Sequence, residues 1–427
     1  MTLVVMTMVE QRSRRALVAG SVGNFIEWYE FGVYGFFGTI IAANFFSPSG
    51  AGDLESLVKA YASFALSFFF RPLGAWIFGR VGDRIGRRPV LILVVVLMSV
   101  ATALIGVLPT YAVIGAAAPW LLTLIRVLQG LSAGGEFGGA VSLMTEFAPP
   151  GRRGRYGAWQ SFTVALGLVG GAGSAALLSV LMSEGDLKSW GWRIPFLLAL
   201  PLGAVALWLR LRLEETPVFE RASAEPRRKP SAGELTRAIL LGIGRLMGWS
   251  AAGYTFLVVM PSYLQTALHT SAQAAMLTAL VANVGFAVSI IPAGILSDRI
   301  GRRPVMLTGA VLIVILALPL LNVLQDPDAG TVLKGSVVFV AGLVVGLLAG
   351  PGPAMLAEMF PTTVRYTGLG LAYSLSNAVF SGSAGLIITE LIKNTGDVDI
   401  PAYYVIATCA ISAVALLSLR NRGDLPD

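Results

Sequence analysis

Apolar runs of about twenty residues or more, separated by short polar clusters, dominate the pattern of this chain. A helix rising 1.5 Å per residue needs about that length to cross a hydrocarbon core of roughly 30 Å. Twelve such runs can be placed, at 17–44, 58–79, 89–108, 119–146, 156–182, 192–211, 238–267, 273–296, 304–324, 332–357, 366–392 and 401–419. The one long polar interruption, RLEETPVFERASAEPRRKPSAGELTR at 212–237, divides them six and six. The pattern predicts an all-α polytopic membrane protein of twelve transmembrane helices. Residues 1–211 form an N-terminal half, 212–237 a linker with some helical content, and 238–427 a C-terminal half.

Two polar landmarks recur in register. GRVGDRIGRRPV begins at Gly79 and GILSDRIGRRPV at Gly294, so Asp83 and Asp298 are 298 − 83 = 215 positions apart. TEFAPPGRRGRYG follows the fourth run and AEMFPTTVRYTG the tenth; Glu146 and Glu358 are 358 − 146 = 212 apart. Each half therefore reads as a copy of one six-span unit, with twelve helices in two pseudo-symmetric halves around a central cavity.

Each hook joins two spans by a very short loop. Gly79 and Gly294 permit close helix contact, while Gly86 and Gly301 permit a tight turn with positive φ. Asp83 and Asp298 can cap a neighbouring helix N-terminus or pair with arginine. The candidate gating set is Gly79, Asp83, Arg84, Gly86, Arg87, Glu146 and Arg153 in the first half. Its counterpart in the second is Asp298, Arg299, Gly301, Arg302, Glu358 and Arg365. The plainer alternative is a basic loop that serves topology alone.

Composition agrees with a membrane chain: 55% of residues are hydrophobic and 13% charged, where a soluble domain carries about a quarter charged. The net charge of +7 is confined by the spans to one side. Both tails, the linker and the arginine-rich loops share that side, leaving Lys59, Lys188, Lys334 and Lys393 opposite. The positive-inside rule then makes both termini cytoplasmic in a bacterial inner or plasma membrane. Nucleic-acid binding is excluded by the same distribution. No cleavable signal peptide is expected, because the N-terminal arginines run straight into a long span. The single Cys409 lies in the last run and reads as packing; the single His269 lies near a helix end, so any proton relay uses carboxylates. No His-rich metal cluster or HExxH occurs, which argues against an enzyme, and no cofactor is expected.

A charge at mid-bilayer costs roughly 2.5–3.5 kcal/mol even on lenient scales, so each one needs a reason. The candidates are Glu27, Glu30, Arg71, Arg126, Glu136 and Arg245, with Arg193 at an outer end. Glu27, Glu30 and Tyr34 share a face at i, i+3 and i+7. Arg126, Gln129 and Glu136 at i, i+3 and i+10 span an arc of about 80°. Structural ion pairing is the competing reading for any one of them. Arg71 and Arg126 can present forked donors to a carboxylate. Trp28, Tyr34 and Trp159 can line a cavity or hold a quaternary amine through their rings.

GxxxDRxGRR between spans two and three, repeated between eight and nine, resembles the signature of the major facilitator superfamily. GNFIEWYEFGVYG (23–35), FFFRPLGAWIFGRVGDRIGRRP (68–89), RVLQGLSAGGEFGG (126–139), WGWRIPF (190–196) and EETPVF (214–219) narrow the resemblance to the metabolite:H⁺ symporter family. That family includes carriers of proline and betaine, α-ketoglutarate, citrate and shikimate. The resemblance implies a monomeric proton-coupled symporter, driven by the proton gradient, for a small carboxylate-bearing metabolite. It also makes Glu30 with Arg126 the preferred coupling pair, with Glu27 and Glu136 as rivals. Arg71, Arg126, Tyr34, Gln129 and Trp159 are the expected substrate contacts. MPSYL (260–264), FPTTVRYTG (360–368) and PAYY (401–404) are similar to the proline/betaine carriers in particular, so a zwitterion:H⁺ symporter is the alternative. An uncoupled uniporter is the other.

Overall fold

The computed structural model describes residues 21–48, 54–85, 87–146, 148–149, 151–211, 231–360 and 365–419. The side chains of 79–85, 87–88, 91, 139, 142–143, 146 and 365–366 are not part of that description. Each of the twelve apolar runs is helical over its described residues. The first six helices are α1 (21–46), α2 (Leu54–Phe69 and Arg71–Ile85), α3 (Arg87–Val107), α4 (Ala117–Gly134 and Phe137–Glu146), α5 (Arg153–Leu181) and α6 (Glu184–Leu211). The last six are α7 (232–266), α8 (Ala272–Ile300), α9 (Arg302–Gln325), α10 (Thr331–Met359), α11 (365–395) and α12 (Ile400–Leu417). Among the described residues, seven helices are long and apolar enough, by length and composition, to cross a membrane.

Local chemistry explains where the helices break. Pro72 has no N–H and its ring crowds the carbonyl of Phe68, so α2 is interrupted at Phe70, just before Arg71. The Gly134–Gly135 pair interrupts α4 just before Glu136. α7 starts at Ala232, inside the stretch read as linker. Ser231 accepts from the Glu234 amide and the Glu234 carboxylate accepts from the Ser231 amide, a capping box that fixes the start. The rest of that stretch, 212–230, lies outside the described residues.

The two sets of six use the same packing device. A Cβ on Gly130 or Gly134 of α4 would lie 1.8 or 2.0 Å from the carbonyl oxygens of Ser67 or Arg71 on α2. On α10, a Cβ on Gly342 would lie 2.0 Å from the Ala282 oxygen of α8, and one on Gly346 would strike the Ser289 side chain. These glycines are in register, since 342 − 130 = 212 and 346 − 134 = 212. Backbones touch there because no side chain intervenes.

The sets meet where α5 runs along α8, α2 along α11, and α1 against α7. At the end carrying the hooks, Asp298 at the foot of α8 accepts from the Gly154 and Arg155 amides at the start of α5, at 2.7 and 2.9 Å. It therefore caps a helix of the other set. Arg302 holds Asp298 at 2.7 Å and Glu358 at 3.0 Å, and it also donates to Ser297. Gly301 adopts φ 95°, open to glycine and strained for other residues. Arg153 and Arg299 are exposed. The side chains of Gly79, Asp83, Arg84, Gly86, Arg87, Glu146 and Arg365 lie outside the described residues. At the opposite end, Tyr61 donates to Ser262 at 3.0 Å, and Thr39 donates to Gln265 at 3.2 Å. Contacts between the sets therefore exist at both ends of the molecule.

Candidate functional site

The interior of the first six helices holds a cluster of buried charges. Glu27 and Glu30 come from α1, Arg71 from the break in α2, Arg126 and Glu136 from α4, and Arg210 from α6. Three glutamates face three arginines, and their pairing is uneven. Arg71 Nη2 approaches Glu27 Oε1 at 3.4 Å, and Glu136 pairs with Arg210. Gly23 on α1 makes room for the second pair, since a Cβ there would overlap both side chains.

Arg126 is held by neutral groups. Nη1 donates to Gln129 Oε1 and Nη2 to Ser67 Oγ at 3.2 Å; Gln129 in turn donates to Thr102 at 2.6 Å. Its guanidinium also lies over the rings of Tyr34, Phe31 and Phe64, at 4.3 to 4.9 Å. The expected ion pair between Glu30 and Arg126 is therefore not formed in this conformation. Arg126 turns toward Gln129 and Ser67, while both carboxyl oxygens of Glu30 are buried with no hydrogen-bond partner.

Glu136 also departs from expectation. The 100° count that placed it with Arg126 assumes an unbroken α4, and the Gly134–Gly135 break resets that phase toward Arg210. Arg210 was missed because the sequence placed it at a span end, where a basic residue normally serves orientation.

Beside this cluster, a cavity lies between the two sets of helices. Trp28, Val164 and Leu168 line it from the first set; Trp249, Tyr254, Leu257, Phe286, Tyr373, Asn377 and Ser381 are among its lining from the second. It measures about 30 Å³, room for a couple of waters and not for a metabolite. Two wider, π-type turns border it, Thr255–Val259 in α7 and Asn377–Gly382 in α11. Such turns leave the regular hydrogen-bond ladder and recur at functional sites, and hydropathy does not reveal them.

Arg71 joins cluster and cavity. Its guanidinium lies over Phe68 at 4.1 Å, Phe31 at 4.3 Å and Trp28 at 5.6 Å, and Trp28 is a cavity wall. Nε and Nη2 make no hydrogen bond although buried. Among the expected substrate contacts, Tyr34 supports Arg126 and donates to the Ala60 carbonyl, while Gln129 is a buried strut. Trp159 does not reach the cavity: it is 41% exposed, packs on Phe162 and donates to Ser21. On α5 the inward face carries Gln160, Ser161 and Val164 instead. Arg245 bonds Ser418 between α7 and α12, and Arg193 donates to the Gly106 and Leu108 carbonyls at the end of α3; both are away from the cavity lining. No group of three or more potential metal ligands occurs among the described residues.

Residues 16–228 match the family description "Sugar (and other) transporter", and 238–426 match "Major Facilitator Superfamily". The chain is 35% identical to a proline/betaine transporter of Salmonella typhimurium, over 97% of this chain and 84% of that protein. It is 37% identical to an alpha-ketoglutarate permease of Escherichia coli, over 96% and 94%. Its fold superposes on the proton:xylose symporter XylE bound to 6-bromo-6-deoxy-D-glucose with a TM-score of 0.78, at 17% identity over 96% of this chain and 95% of that one. A partially occluded, inward-open form of the E. coli xylose transporter also gives 0.78, at 16% identity over 98% and 100%. The chain belongs to the major facilitator superfamily, within the metabolite:H⁺ symporters that its motifs resemble, and is a membrane transporter and not an enzyme.

Proposed function

We propose that this transporter is a proton-coupled symporter for a small carboxylate-bearing solute, and that the solute is a zwitterion of the proline or betaine type. One observation carries the reading: a buried arginine with unsatisfied donors stacks on Trp28, a wall of the cavity between the two halves, and a buried glutamate with unsatisfied acceptors belongs to the same charge cluster. Buried polar atoms are nearly always bonded, so orphans beside a cavity mark places where a ligand or a proton completes the structure. Arg71 receives the solute carboxylate. The rings of Trp28, Trp249, Tyr254 and Tyr373 give a cationic nitrogen a favourable surface. The proline/betaine relatives agree with that lining.

Glu30 carries the proton in this reading. Loaded and neutral, it needs no cation beside it; once it releases the proton, its charge draws Arg126 away from Gln129 and Ser67. The halves, 1–211 and 238–427 joined by 212–237, rock about the cavity, and the contracted cavity represents a state between the two openings. The hooks lie on the cytoplasmic side of a bacterial inner membrane together with both termini, as the arginine distribution favours. The cavity and its charges come from one chain, so a monomer suffices, and the proton gradient takes the place of a cofactor.

A dianionic oxoacid is the second reading. Two arginines in the cluster and the alpha-ketoglutarate permease relative favour it. Proteoliposomes test the coupling. Glu30→Gln mimics the loaded form, so it should still exchange labelled proline, glycine betaine or 2-oxoglutarate in counterflow and fail to accumulate it under a pH gradient. Unimpaired accumulation would move the proton to Glu27 or Glu136. Solute uptake by the unaltered protein without alkalinisation of an unbuffered medium would make it a uniporter.

A further inference from the structure

Tyr254 ends the regular part of α7, directly before the wider turn at Thr255–Val259. Its ring belongs to the second half but packs into the first, against Phe68 at 5.4 Å, Phe64 at 6.0 Å and Trp28 at 6.1 Å. Phe68 and Trp28 are two of the rings beneath the Arg71 guanidinium. The Tyr254 hydroxyl is buried, lies on a residue that lines the cavity, and has no hydrogen-bond partner.

Two orphaned donors thus stand on the same pair of rings, one from each half of the transporter. A carboxylate has two oxygens, can accept from both and also meets the guanidinium with a negative charge; a neutral carbonyl could accept but leaves that charge unanswered, and a cationic group cannot accept at all. We infer that Tyr254 and Arg71 together form the carboxylate subsite, so that the solute carboxylate is a bridge between the halves. This rests on the carboxylate reading above and adds to it the residue through which the second half detects the ligand. Without solute the Tyr254 hydroxyl and the Arg71 Nε are left buried without a hydrogen bond, and the Arg71 Nη2 has only its long ion pair with Glu27, which disfavours the contracted cavity. With solute the penalty is removed, so a bound carboxylate selects the contracted state and a ligand lacking it does not.

Tyr254→Phe tests the assignment because it removes the hydroxyl and keeps the ring. Binding of glycine betaine, proline and 2-oxoglutarate to purified protein is measured by quenching of tryptophan fluorescence, and the Tm is measured without ligand. Affinity for whichever probe binds should fall about 10- to 100-fold, the range for a hydrogen bond to a charged group. The ligand-free Tm should stay level or rise, because the deleted hydroxyl is bonded to nothing. Affinity within about threefold of the unaltered protein overturns the subsite. So does weakened binding accompanied by a lowered ligand-free Tm, which marks the hydroxyl as structural. If the unaltered protein binds none of the three probes, the carboxylate reading itself fails and the subsite fails with it.

Discussion

Six charged side chains, Glu27, Glu30, Arg71, Arg126, Glu136 and Arg210, are buried in the first six helices, whereas Arg245 is the one such side chain among the described residues of the last six. The scaffolds nevertheless match, down to glycines in the same register at the α2–α4 and α8–α10 crossings. Duplication preserved the surfaces that pack and let the interiors diverge. The first half kept the buried charges, one step behind the cavity wall at Trp28; the second lines the cavity with rings, hydroxyls and the Asn377 amide. That division suits a carrier in which one half handles the proton while the other must detect whether solute has arrived. A symmetric pair of charged interiors would pay desolvation twice, since each buried charge needs its own compensation.

The sharpest way to break the comparison is to exchange arginine for lysine on each side. Arg71→Lys keeps the charge and loses the planar fork and its stacking on Phe31 and Phe68. Affinity for a carboxylate solute should fall about 100-fold, equivalent to roughly 2.7 kcal/mol, measured by equilibrium binding. Arg245→Lys, in the second half, should leave affinity within about twofold and lower the Tm instead, because Arg245 ties α7 to α12 through Ser418 and other contacts. Equal losses of affinity at both positions would mean that the two interiors share one function.

Much of this division was legible in the sequence. The excess of intramembrane charge in one half could be counted, and the hook repeat announced the duplication. The partners could not be counted. Glu30 and Arg126 lie on facing helices, yet side-chain rotation gives Arg126 to Gln129 and Ser67. The pairing of Glu136 depends on a helix break that a uniform 100° step ignores. Arg210 resembled a topological residue until α6 placed it beside α4. Tyr254 carried no signal, because one more tyrosine in an apolar run reads as packing; only its unsatisfied hydroxyl on the cavity lining distinguishes it. Trp159 is the reverse case, an aromatic chosen by type that is 41% exposed and is not among the residues lining this cavity.

A second comparison concerns the scaffold, where the halves should behave alike. Gly130→Ala and Gly342→Ala each place a methyl about 2 Å from a backbone oxygen of the neighbouring helix, so the backbones must separate. Each should destabilise by about 1–3 kcal/mol, as overpacking does, and lower the Tm by several degrees. The sites are in different halves with no shared partner, so the effects should add in the double variant. A large drop at Gly130 with none at Gly342, read from thermal unfolding in detergent, would show that only one half still depends on the inherited crossing.

The smallest expected effect lies at the contact between the halves. Asp298 accepts two backbone N–H groups from the start of α5 and is held by Arg302, so its charge meets both a helix dipole and a guanidinium. Asn keeps one acceptor oxygen and loses the charge. The loss should be about 1 kcal/mol, because the site is partly open to water and salt screens it. That shift favours opening at the hook end about fivefold. Ser161 reports the change: it is buried at the α5–α10 crossing and donates to the Ala349 carbonyl at 2.7 Å. In a Cys409→Ala background, maleimide labelling of Ser161→Cys should accelerate several-fold when Asp298→Asn is added. Solute affinity should stay nearly constant, since Asp298 is remote from the cavity lining. Asp83→Asn, at the sequence twin in the other half, should accelerate labelling to a similar degree if the gates kept the symmetry that the interiors lost. An unchanged labelling rate with Asp298→Asn would mean that the glycine-mediated crossing of α5 and α8, where Gly154 and Gly294 meet, closes that end without help from the cap.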